Sequence, residues 1–230
     1  MGRLRRLELT PVRFLRLALL NVWMLWLIVV TGAAVRLTSS GLGCRHWPGC
    51  EKGHPLPAKD YHAYIEFGNR LVGGVTIVVT LLVALAATRA PALPRWGRRL
   101  ALAIFLGTLA QAPIGYLAVK TDLRWPVVAS HLLLSMAVLA GAVVLALEAL
   151  GARAGRSEPF VPLELRRLGL VAALFCLVLL VSGTLATAAG PHSGGGAEHV
   201  DRLWRLQPLV YTHAVADRKS KRLNSSHHEP

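Results

Sequence analysis

Cys44 and Cys50, with five residues between them, stand a short way ahead of His62, Glu66 and Arg70. The last three are spaced four apart, so on a helix they form one i, i+4, i+8 row, with Asn69 beside it. A carboxylate between an imidazole and a guanidinium suits proton transfer, or stabilisation of positive charge developing on a bound molecule. The plainer alternative is an interfacial turn whose charges meet water. His131 lies in Val127-Val-Ala-Ser-His131-Leu-Leu-Leu-Ser, and His213 lies in Leu209-Val-Tyr-Thr-His213-Ala-Val. Each is an imidazole at the edge of an apolar run. Alone, either is also consistent with a histidine satisfied by a serine or a carbonyl.

The elements that must position these groups are membrane helices. Hydrophobic residues make up 53% of the 230, more than an ordinary soluble domain carries. Windows of about 20 apolar residues, enough to cross ~30 Å of hydrocarbon, recur at 17–35, 71–87, 100–119, 127–147 and 168–189, and a shorter sixth begins near Leu206. The first is too long and too rich in Trp for a cleaved signal peptide, and Arg36-Leu-Thr is not a small-residue cleavage site. The expected fold class is all-α: a polytopic transmembrane helix bundle with five full helices and a truncated sixth.

Lys and Arg are retained on the cytoplasmic side. Arg3, Arg5, Arg6, Arg13 and Arg16 precede the first run, Arg89, Arg95, Arg98 and Arg99 fill the second connection, and Arg153, Arg156, Arg166 and Arg167 flank the fourth. The expected location is the cell membrane, multi-pass, with a cytoplasmic N-terminus and the Cys44/Cys50 loop outside. The net charge of +14 is accounted for mainly by these loops and the tail. No basic groove interleaved with stacking aromatics marks a nucleic-acid binder. In an oxidising compartment disulfides persist, so a Cys44–Cys50 bond is expected, either as a loop staple or as a redox-active pair. Cys176, mid-run, reads as a small core residue.

With this topology Glu66, His131 and His213 all fall near the outer face. Polar groups at that depth are costly unless used. Imidazoles projecting inward from facing helices are how membrane cytochromes hold heme iron. Arg36 and Arg70 at the same level suit pairing with propionates. Gly73, Gly74, Gly107 and Gly115 allow close helix approach or room for a flat macrocycle.

The stretch from Val29-Val-Thr-Gly-Ala-Ala-Val-Arg36 through Cys44-Arg-His-Trp-Pro-Gly-Cys50 resembles the heme A synthase family of cytochrome oxidase assembly. So do His62-Ala-Tyr-Ile-Glu66-Phe-Gly-Asn69-Arg70, Ala129-Ser-His131-Leu-Leu-Leu-Ser and Val181-Ser-Gly-Thr-Leu-Ala-Thr-Ala-Ala-Gly-Pro-His192. The resemblance implies an eight-helix enzyme of two four-helix halves that oxidises a ring methyl of heme O to the formyl group of heme A. It implies heme b as cofactor, heme O as substrate, a Cys44–Cys50 disulfide, Glu66 as catalytic residue, His131 as ligand of substrate heme and His213 as ligand of heme b. The implied partners are heme O synthase (the protoheme farnesyltransferase) and an electron donor. On this reading residues 1–150 are the N-terminal four-helix half, with the substrate-heme site and disulfide loop. Residues 151–216 start the second half, and 217–230 are a polar, disordered or artefactual tail.

Two departures from the family pattern stand out. Asn69 occupies a position where the family often has histidine, and His62, two turns away, is a conceivable substitute ligand. The family also continues through helices six to eight, which places a final histidine beyond this chain. The expectation is therefore an incomplete fragment, inactive by itself. Two rivals use the same residues differently. A membrane b-type cytochrome would carry electrons without needing Glu66 or the cysteines, and a thiol–disulfide membrane oxidoreductase would need a cycling disulfide and, as a rule, a second cysteine pair.

Overall fold

The computed structural model describes residues 8–44, 46–53, 56, 57, 59–155, 163–189, 210, 211, 213–215 and 217. Five long helices make up almost all of them: α1 (Pro11–Leu37), α2 (Tyr61–Thr88), α3 (Arg95–Lys120), α4 (Trp125–Arg153) and α5 (Leu163–Ala189). All five are long and apolar enough to span a membrane, and the described residues contain no strand-built sheet. The chain is a polytopic helical membrane protein.

Each helix outruns its apolar window because its ends are fixed by local chemistry. Pro11 opens α1, where its missing N–H breaks no helical bond. Asp60 caps α2 by accepting the Ala63 N–H at 3.1 Å. The α3–α4 turn closes through Asp122 and Leu123, both at positive φ, with the Leu123 N–H on the Ala118 carbonyl at 2.8 Å. The 27 residues of α1 span about 40 Å, so its ends reach past the hydrocarbon.

Helix α1 packs on α2 and α4, and α3 packs on the same two, which closes a four-helix ring; α5 lies along α4. The apolar core is lopsided. Phe14, Leu15, Ala18 and Leu25 of α1 meet Val83 and Ala87 of α2, Ala101 and Ile104 of α3, and Ala142, Leu145 and Ala149 of α4. All of these except mid-helix Leu25 belong to the helix halves remote from the cysteine loop. The loop-side halves carry Glu66, Asn69, Arg70 and His131, whereas buried Asn21, Thr76 and Thr80 lie in the remote halves. Buried Thr76, Thr80 and Thr108 bond carbonyls of their own helices, which satisfies their hydroxyls without a partner helix.

Two expectations about helix faces change. Cys176 is exposed on α5 rather than in the core. A membrane helix is apolar all round, so its sequence does not mark the face that turns inward. Gly107 and Gly73 do meet neighbours, Val138 and Ile28 respectively, whereas Gly74 faces open space. Of the sixth run, residues 210, 211, 213–215 and 217 are helical. Its start at 206–209 and the tail from 218 onward lie outside the described residues.

Candidate functional site

The disulfide loop is built against the first turns of α2. Cys44 and Cys50 are bonded, with Cα atoms 4.4 Å apart, and both are buried with Ala63 and Phe67 of α2. The approach is closest at Gly43, where a Cβ would come within 2.5 Å of the His62 carbonyl carbon and 2.8 Å of the Ala63 nitrogen. Both neighbours are backbone, so neither can swing aside. Gly43→Ala is therefore expected to lever the loop off α2 and speed reduction of the disulfide by dithiothreitol. An unchanged rate in the folded variant would refute that contact.

Arg70, two turns into α2, ties the loop from the other side. Its Nη1 donates to the carbonyls of His46 at 2.7 Å and Gly49 at 2.6 Å, with Pro48 at 3.4 Å. Its Nη2 donates to Glu66 Oε1 in an i, i+4 ion pair. Glu66 Oε2 accepts the Cys44 N–H at 2.8 Å. Glu66 is only 5% exposed, and each of its oxygens has a charged or backbone donor, as a buried carboxylate requires. The loop, the disulfide, Arg70 and Glu66 are thus one unit. The Trp47 ring at the loop tip stands 5.8 Å from that of Tyr116 on α3, which carries the unit across to the neighbouring helix.

The remaining predicted residues fall in separate places. His62 is exposed in the first turn of α2, its Nδ1 2.9 Å from Ser40 Oγ. Asn69 Oδ1 accepts from Thr31 Oγ1 at 2.7 Å and so joins α2 to α1. Arg36 Nη2 donates to Thr187 Oγ1 at 2.7 Å, linking α1 to α5 beside a cleft lined by Trp125, Val128 and Leu132. His213 Nδ1 is 2.9 Å from Ser182 Oγ, and its ring lies flat enough on α5 that a Cβ at Gly183 would come within 3.0 Å of Cε1. Among the described residues no three His, Cys, Asp or Glu side chains converge as a metal cluster.

His131 sits at the α3–α4 contact. Its Cε1 lies 3.7 Å from where a Gly115 Cβ would be, and its Nδ1 is buried without a hydrogen-bond partner. Gln111 of α3 donates from Nε2 to Ser135 Oγ at 2.9 Å and to the His131 carbonyl at 3.3 Å, while its Oε1 is buried and unpartnered. Sequence reasoning did not single out Gln111, Ser40, Thr31 or Gly43. Only Gln111 left a signal, as an isolated amide in the apolar run Leu-Ala-Gln-Ala-Pro.

A match to the family described as cytochrome oxidase assembly protein covers residues 15–191, from the first turn of α1 to just past α5. The chain belongs to that family. It is 34% identical to the heme A synthase of Geobacillus kaustophilus over 110 residues, 46% of this chain and 33% of the relative. It is 30% identical to that of Bacillus pumilus over 151 residues, 65% of this chain and 49% of the relative. To that of Geobacillus thermodenitrificans it is 38% identical over 64 residues, 28% and 20% of the two chains. The chain thus spans about half or less of the length of these relatives. No solved structure matches it.

Proposed function

We propose that this chain acts in heme A synthesis, oxidising a ring methyl of heme O to the formyl group of heme A, with the Glu66 end of the ring as the reaction site. The observation that carries the reading is the carboxylate itself. Glu66 is buried at the polar end of a membrane bundle and held through both oxygens by Arg70 and a disulfide-bonded loop, in a family whose curated relatives are heme A synthases. Methyl oxidation releases protons, and an oriented carboxylate of this kind is a suitable acceptor. An electron carrier does not need such a carboxylate, and a thiol oxidoreductase would as a rule need a second cysteine pair, whereas this chain has only Cys176 besides Cys44 and Cys50.

His131 is the proposed ligand of substrate heme. Its imidazole lies within the bundle against a glycine, and the buried Nδ1 leaves Nε2 as the nitrogen for iron. Arg36, near the Cys44 end of α1, is the proposed propionate partner. Arg70 has a second such role only if its loop carbonyls release it. His62 and Asn69 hold Ser40 and Thr31 in place, a structural use on this reading. For heme b the fit rests on His213: with Nδ1–H on Ser182, its Nε2 carries the lone pair an iron takes. Heme b bound there supplies one-electron chemistry. The proposed orientation follows the arginines, with the N-terminus cytoplasmic and the Cys44–Cys50 loop outside. Heme O synthase is the proposed supplier of substrate, alongside an electron donor.

The test is pigment extraction from the purified full-length protein, produced in membranes that make heme O. Heme O or heme A beside heme b is the expected result. Heme b alone would overturn the reading in favour of an electron carrier.

A further inference from the structure

We propose that Gln111 is a positioning residue for His131, acting through a water held between Gln111 Oε1 and His131 Nδ1. The inference rests on the reading of His131 as a ligand of substrate heme. Its ground is a pair of orphans on two residues that touch. Among the described residues few buried side-chain polar atoms lack a partner, and two of them, Gln111 Oε1 and His131 Nδ1, belong to residues already in contact. One is an acceptor, and the other is a donor in the tautomer that leaves Nε2 unprotonated. In hydrocarbon an unsatisfied group of this kind is costly, with no water there to take its bond. A single water satisfies both, accepting from Nδ1–H and donating to Oε1.

The surrounding geometry fixes both ends of that bridge. Gln111 and Gly115 are four apart on α3 and so share a face. The His131 ring rests on that face over Gly115, its Cε1 at van der Waals distance from where a Cβ would stand. The amide cannot turn over to satisfy Nδ1 directly without giving up two donations, to Ser135 Oγ and to the His131 carbonyl. Ser135 Oγ also donates to that carbonyl at 2.8 Å within α4, and the two bonds from Gln111 tie this turn to α3. The Nε2 end of Gln111 therefore holds the helix, which leaves Oε1 as the end available to the bridge. Partners of this kind on the non-ligating nitrogen set the tautomer and ring angle of a histidine ligand, and losing them weakens binding about 10- to 100-fold.

The two ends of the amide can be separated by substitution. Gln111→Leu removes both. Gln111→Glu keeps an oxygen acceptor for the bridge but loses the two donations to α4. The purified full chain of each variant, checked for an unchanged melting profile, is titrated with ferric protoheme, and the reduction potential of the bound heme is recorded. The expected result is affinity weakened about 10- to 100-fold in Gln111→Leu. In Gln111→Glu the affinity is expected to stay near that of the parent, with a lowered potential because the ring donates to a stronger acceptor. Affinity lost equally in both variants would make Gln111 a helix clamp and overturn the inference, as would a Gln111→Leu that binds like the parent. His131→Ala, titrated alongside, separates the two levels. If it binds heme unchanged, the ligand reading itself fails; if it loses heme while Gln111→Leu does not, only the inference about Gln111 falls.

Discussion

Glu66→Gln is expected to lower heme A formation about 100-fold or more, the low end of what a positioned acid–base group contributes, while heme O remains bound. Gln keeps the shape of the side chain and an oxygen that can still accept the Cys44 N–H, so the loop stays seated on α2. What is lost is the proton-accepting carboxylate. The check is the ratio of heme A to heme O extracted from the purified variant. A ratio equal to that of the parent would remove Glu66 from the chemistry. Loss of both pigments would mean that the carboxylate serves binding instead.

Arg70→Leu carries the second large effect, on stability rather than on chemistry. It leaves a carboxylate that is 5% exposed without its counter-charge and strips the donor from the His46 and Gly49 carbonyls. Breaking a buried pair from one side typically costs about 3–5 kcal/mol, because the surviving charge stays buried and uncompensated. Unfolding of the purified protein by denaturing detergent is the measurement. The double variant Glu66→Gln/Arg70→Leu is expected to recover part of the loss, since no buried charge then remains, although heme A formation stays absent. An Arg70→Leu chain as stable as the parent would show that Glu66 and the loop do not depend on the guanidinium.

How much of this was legible beforehand differs by residue. The pairing of Glu66 with Arg70 could be read from their spacing, because four residues on a helix bring two side chains together whatever surrounds them. The Cys44–Cys50 bond followed from compartment and separation, both sequence properties. The burial of Glu66 was not legible, since one helix cannot say which face its neighbours cover. The hold of Arg70 on three loop carbonyls was not legible either, because loop conformation is set by long-range contact. Cys176 was misplaced for the same reason. Its run is apolar on every side, so hydropathy locates the helix without locating its inward face. Gln111 and His131 are twenty positions apart, and nothing in either local pattern announces that α3 and α4 set them against each other.

Sequence by itself determined that this chain builds membrane helices, the apolar window inside each of them, and which family it resembles. Those properties follow from the hydrocarbon thickness and from strings of residue types, both of which act locally. Only the tertiary structure decided that the apolar core gathers toward one end of the ring, away from the disulfide loop. It also decided that the disulfide loop closes on Glu66 and that His131 rests on Gly115 beside Gln111. In a bilayer the lipid is as apolar as the helix faces, so burial does not sort inside from outside. Close packing at glycines and the need to pair every buried polar atom select the arrangement, and both act between segments that are distant in the chain.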